Sequence, residues 1–150
     1  MPDSAAMPEG VGTTDLAGLL GTMEPVLRDG AFVFVTVPTR SFALAMETNP
    51  VAAVMEAEGL TLVLPQVQAD ALRFGYSTVF RQLTLTVHSS LDAVGLTAAV
   101  ATRLAAHGIP ANVVAGFYHD HLFVPQDRAE AALGALRALS REQVGKSVSS

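Results

Sequence analysis

The sequence predicts an α+β fold built as two successive units of similar order. Strand-length runs of β-branched and aromatic residues alternate with stretches of helical period. The second half reads strand, helix, strand, strand, helix. The chain also has the material for a core: 150 residues, half of them hydrophobic and only 15% charged, enough for one domain or two small ones sharing an interior. The formal net charge is -5 and no basic stripe is present, which argues against a nucleic-acid or anionic-membrane surface. There is no cysteine, hence no disulfide, thiolate chemistry or Cys-ligated zinc. The first residues, MPDSAAMPEGVG, lack the basic and apolar regions of a signal peptide, and no apolar run reaches membrane-spanning length. A soluble cytoplasmic protein is expected.

Residues 1–12 and 141–150 are rich in small and polar residues and read as flexible tails. Thr13 or Thr14 is placed to cap a first helix with Leu16, Leu19, Leu20 and Met23 on one stripe, stopped near Pro25. AFVFVTVP (31–38) is apolar on both faces and reads as a central strand. Pro38-Thr39-Arg40 is a turn, SFALAM (41–46) a returning strand, and NPVAAVMEAEG (49–59) a short helix closed by Gly59. LTLVLP (60–65) is a strand and QVQADALRFG (66–75) a helix. In TVFRQLTLTVH (78–88), Leu83, Leu85 and Val87 alternate with Gln82, Thr84 and Thr86, the period of a half-buried strand. LDAVGLTAAVATRLAAHG (91–108) is a helix with Leu96, Val100 and Leu104 on one face, closed by Gly108. NVVAGFY (112–118) and LFVP (122–125) are strands joined by a turn that carries His119, Asp120 and His121. DRAEAALGALRALS (127–140) ends the set as a helix, with Asp127 and Glu130 in a capping pattern and Ala129, Ala132, Leu133, Leu136 and Leu139 on one stripe. This order is the ferredoxin-like βαββαβ unit short of its last strand, so the reading is two tandem ferredoxin-like units, 13–76 and 77–140. The missing strand would expose 79–87 as an edge, which AFVFVTV or LTLVL is expected to cover.

The run SSLDAVGLTAAVATRLAAHGIPANVVAG (89–116) resembles the core of the ACT domain family: a strand, a small-residue loop with Gly at the helix start, a helix, then a Gly-Ile step into the next strand. Gly95 stands where the family has the Gly of a Pro-Gly pair, and Val94 replaces the proline. With EAEGLTLVL and NVVAGFYHDHLFVP, the chain is similar to a bacterial tandem ACT-like group of small stand-alone proteins, over residues 31 to 139. The resemblance implies a regulatory module for a small molecule, most often an amino acid, with no catalytic activity. It also implies that Glu58, in MEAEG, borders an inter-domain cleft where it would hold an amino group.

Three candidates for chemistry stand out. His119 and His121 are two apart, the spacing by which one strand presents two imidazoles to zinc, with His88 as a third ligand. The competing reading is a polar hairpin tip, with or without a ligand contact, and no structural zinc is expected. His88 and Ser89 are adjacent, so they point to opposite sides of a strand and make no dyad, and no G-x-S-x-G elbow exists. The better reading of His88, Ser89, Ser90, Asp92, Val94, Gly95 and Leu96 is positional: a strand-to-helix loop whose hydroxyls and amides cradle a carboxylate, although Ser90 or Asp92 capping the helix explains part of it. Asn112 and Val113, on the neighbouring strand, are expected beside this loop. No GxGxxG or GxxxxGK[ST] occurs, so no nucleotide cofactor is expected. Two other classes compete with the ligand-binding module: a homodimerising interaction domain without a ligand, and a small metal-dependent enzyme built on His88, His119 and His121.

Overall fold

The computed structural model describes residues 15–87 and 92–148. Helix α1 (Leu16–Thr22) is capped by Asp15, whose Oδ2 accepts from the Gly18 amide at 3.0 Å; Thr13 and Thr14 lie outside the described residues. A short strand not foreseen in the sequence, β1 (Pro25–Leu27), follows, then β2 (Phe32–Val37). The next two expectations are exchanged. Residues Phe42–Met46 form helix α2, as Ala, Leu and Met favour, and Ala52–Met55 form strand β3. Gly59 closes a hairpin, not a helix: Glu56 and Gly59 exchange both backbone hydrogen bonds, at 2.9 and 3.3 Å. Strand β4 (Leu60–Pro65), helix α3 (Gln66–Ala71), strand β5 (Phe80–Leu85) and helix α4 (Leu96–Ala106) come next. Strands β6 (Asn112–Ala115) and β7 (Asp120–Pro125) precede helix α5 (Ala129–Val148). Residues 141–148, expected as tail, thus continue a helix.

The strands form one sheet in the order β3-β4-β2-β5-β7-β6, with β1 also paired to β5. The two halves repeat each other in register. Phe32–Val37 pair with Pro65–Leu60 as Phe80–Leu85 pair with Pro125–Asp120, and β3 meets β4 as β6 meets β7. The expected pairing of AFVFVTV beside 79–87 is present as a single contact, Phe32 with Phe80. The rest of that edge is covered by β1, through Pro25–Leu85, Val26–Thr84 and Leu27–Leu83. So β1 takes the place of the strand that the second unit lacks. Its proline costs no ladder bond, because Glu24 and Arg28, its neighbours on alternate positions, are the ones bonded to Thr86 and Gln82.

Helices cover one face of the sheet. Under α1, α4 and α5 lie Leu83, Leu85, Leu122 and Val124; under the shorter α2 and α3 lie Val33, Val35, Leu62 and Leu64. Among the described residues the opposite face carries no helix, yet Phe32, Val63 and Phe123 are buried there, with Ala52 of β3 and Val114 of β6 packed on the same cluster. Ala52 and Val114 belong to opposite edge strands, so the sheet curls over this face. Its curl buries Gln82 and Thr84, the side of β5 read as the wet one.

Candidate functional site

The connection from β5 to α4 is the element on which the sequence reading placed a ligand. Its entrance is fixed by Thr86, whose amide and hydroxyl both donate to the Glu24 carbonyl, at 2.9 and 2.6 Å. Val87 is buried. His88, Ser89 and Ser90 lie outside the described residues. Asp92 and Val94 are exposed at the loop's far end. The helix starts at Leu96 with Gly95 at its cap position, not at Ser90 or Asp92, and Gly95 supplies no side-chain cap. Its φ of 102° is the left-handed conformation that glycine tolerates, and a Cβ there would lie 2.9 Å from the Leu16 side chain. Leu96 itself is core, so only its backbone is available to a ligand.

The register decides which other residues reach this end of the sheet. Leu85, the last residue of β5, is opposite Asp120, which is opposite Ala115, so the β6–β7 turn lies beside the loop. There His119 Nδ1 is 3.4 Å from the Val87 carbonyl. The turn is tight at Gly116, whose amide donates to the His119 carbonyl at 2.9 Å and where a Cβ would come within 2.8 Å of that oxygen. Phe117 and Tyr118 stand exposed on it, with their rings edge to face 5.0 Å apart.

Asn112 is not beside the loop. It is opposite Phe123 and faces the curled side, about 10 Å from Ala115 along the strand. Val113 faces the helical side and packs into the core. Glu58 is farther still. Strands β2 and β5 are antiparallel and meet only at Phe32 and Phe80, so their C-terminal ends point apart. Glu58 sits in the β3–β4 turn at the β2 end, about 30 Å from the loop by strand length. Within one chain the structure therefore brings the loop and the His119 turn together, and leaves Glu58 and Asn112 elsewhere.

The three clustered polar residues separate. His119 stays in the turn, while Asp120 and His121 belong to β7 and project to opposite faces. His121 is thus a strand residue, not part of a hairpin tip. Its Nδ1 lies 3.0 Å from Thr84 Oγ1 and 3.1 Å from Gln82 Nε2. Thr84 Oγ1 also accepts from Arg28 Nε at 3.1 Å. Thr84 and Gln82 thus enclose Nδ1 from the β5 side. Burial, then the charges of His119 and Arg28, hold the His121 pKa below its usual 6.5, and burial pushes the Asp120 carboxyl up. A depressed histidine destabilises the fold once the unfolded chain takes up a proton that the native ring resists. The melting temperature is accordingly expected to fall from about pH 7 to about pH 5, and to fall less in His121→Gln, which keeps Asp120. Equal slopes in the two proteins would contradict this assignment. Among the described residues no three His, Asp or Glu side chains converge to hold a metal. Chelator treatment is expected to leave the melting temperature unchanged; a stoichiometric metal lost with His121→Ala would contradict that.

A cleft of about 630 Å³ lies between α2 and α3 and holds none of these residues. Its walls are mainly apolar, among them Val37, Leu44, Val67 and Leu72.

Residues 11–81 and 77–138 each match a family described as an ACT domain. Among solved structures, the chain is similar to a Vibrio cholerae protein of unknown function described as a possible transport protein. The two are 48% identical with a TM-score of 0.76, over 83% of this chain and 95% of that one. The regulatory subunit of aspartate kinase from Thermus flavus is similar in fold, with 12% identity and a TM-score of 0.57 over 77% of this chain and 96% of that one. Clostridium acetobutylicum aspartate kinase, at 10% identity and a TM-score of 0.63, covers 81% of this chain, which matches 35% of that enzyme. No curated protein matches the sequence. Two matches in tandem, on a sheet whose halves repeat in register, place the chain in the ACT domain family as a protein with two ACT domains.

Proposed function

We propose that the chain is a cytoplasmic regulatory module that binds an amino acid or a similar small metabolite, without catalytic activity of its own. The tandem pair of ACT domains is the observation that carries this reading. The pocket is the β5–α4 loop: the Ser89 and Ser90 hydroxyls, with His88, Asp92 and Val94 around them, and the positive end of α4 at Gly95 and Leu96 to favour a carboxylate. The His119 turn forms its second wall, and Val113 supports it from the core. Glu58 joins such a pocket only from a second copy of the chain, and Asn112 only contributes to the strand behind it.

The test is a thermal melt against each of the twenty amino acids, since a ligand that binds only the native state raises the melting temperature by mass action. At least one is expected to do so, and Ser89→Ala is expected to weaken it about ten- to a hundredfold through loss of one charge-assisted hydrogen bond. A flat screen at millimolar concentration would defeat this reading. A ligand-free homodimerisation module is the second one, favoured by β3, an edge strand on which Val54 and Met55 are exposed. A flat screen with a dimer in solution would select it.

A further inference from the structure

Two arginines on α5, Arg137 and Arg141, are one helical turn apart, and both line a cleft of about 490 Å³ between α5 and β1. Like charges at this spacing repel, and neither arginine has a hydrogen-bond or ion-pair partner among the described residues. Other arginines of the chain are engaged: Arg103 pairs with Glu142, Arg128 donates to the His107 carbonyl, and Arg28 to Thr84. The sequence positions that could neutralise Arg137 and Arg141 from the same helix face, 133, 134, 138, 144 and 145, carry no acid.

The opposite wall is β1. The Thr86 amide donates to the Glu24 carbonyl and the Arg28 amide to the Gln82 carbonyl, so the alternate residue Leu27 turns its N–H and C=O away from β5. Leu27 and Pro25 line the cleft, and Glu24 is the one carboxylate there. Two guanidinium groups and one carboxylate give the site a net charge of about +1 at neutral pH. That balance suits a ligand of net charge -1 with two carboxylates and one ammonium. Each guanidinium presents a planar fork that a carboxylate fills bidentately.

We propose that the cleft between β1 and α5 binds an acidic amino acid. Arg137 and Arg141 hold its two carboxylates, the free Leu27 amide donates to one of them, and Glu24 takes the ammonium group. The site is separate from the β5–α4 loop and does not rest on the reading of that loop.

Calorimetric titration of the full chain with L-glutamate and with glutarate, which lacks the ammonium, tests it. Glutamate is expected to bind, and more tightly than glutarate. Arg137→Gln with Arg141→Gln is expected to weaken glutamate about a hundredfold, and Ser89→Ala to leave it unchanged. Glu24→Gln is expected to remove the preference for glutamate over glutarate. Both arginines are exposed on a helix that glutamine also favours, so the unliganded double variant should melt with the wild type. Absence of glutamate binding, or wild-type affinity in the double variant, would overturn the proposal. Loss of binding in Ser89→Ala alone would overturn it too, by moving the ligand to the loop and upholding the loop reading instead.

Discussion

Phe123→Ala is expected to lower the unfolding free energy by about 3–5 kcal/mol, the range for emptying a buried aromatic position. Phe123 is 0% exposed although no helix among the described residues covers its face of the sheet. It is buried because the sheet curls: its ring meets Phe32 and Phe34 of β2 edge to face, with centroids 5.9 and 5.6 Å away. Those rings belong to the other ACT domain, and each such pair adds about 0.5–1.5 kcal/mol beyond area burial. The substitution therefore removes the ring contacts that tie β7 to β2, in a sheet where β2 and β5 meet in the ladder only at Phe32 and Phe80. Phe117→Ala is the matched control: the residue is 57% exposed on the hairpin turn, and its loss should change stability by less than about 0.5 kcal/mol. Denaturant unfolding of the three proteins measures both, and similar midpoints for Phe123→Ala and Phe117→Ala would contradict the curled-sheet account.

Gly95→Val is expected to cost about 2–5 kcal/mol, from two separable sources. The first is backbone: a φ of 102° is strained for any residue with a Cβ and most for a β-branched one. The second is steric, since a Cβ would sit 2.9 Å from Leu16 Cδ2 before any further valine atoms are placed. Leu16→Ala in the Gly95→Val background should recover the steric part and leave the backbone part, so the two changes should be non-additive. Independent, additive effects would show that α1 and the start of α4 are not in contact. It also follows that Gly95→Val disturbs the fold, so it is no clean probe of a ligand at the loop; Ser89→Ala is the better one.

What the sequence revealed and what it hid have physical causes. Strands β2 and β4 were legible because β-branched and aromatic residues fill both faces, and α4 and α5 because Leu96, Val100, Leu104 and Leu133, Leu136 repeat at helical spacing. Residues 41–46 and 49–59 were read in exchanged states because runs this short carry no period, and Gly59 suits a hairpin as well as a helix end. β1 escaped notice since three residues, one a proline, become a strand only when β5 offers an edge. The strand β5 and the helix α4 that flank the loop were legible, but the loop's neighbours were not. Asn112 was placed beside it by adjacency of elements and Glu58 by the family resemblance, whereas the single antiparallel contact at Phe32 and Phe80 sends the two halves' loops to opposite ends. His121 looked like part of a turn because local sequence does not reveal that β7 begins at Asp120.

The central claim, that the β5–α4 loop binds a small ligand, is tested most directly by amide hydrogen exchange with and without the amino acid that raises the melting temperature most. Slower exchange is expected in peptides covering residues 86–96 and 116–119, with the β3–β4 turn at 56–59 unchanged in a monomer. Unchanged exchange across 86–96 in the presence of a saturating ligand would contradict it.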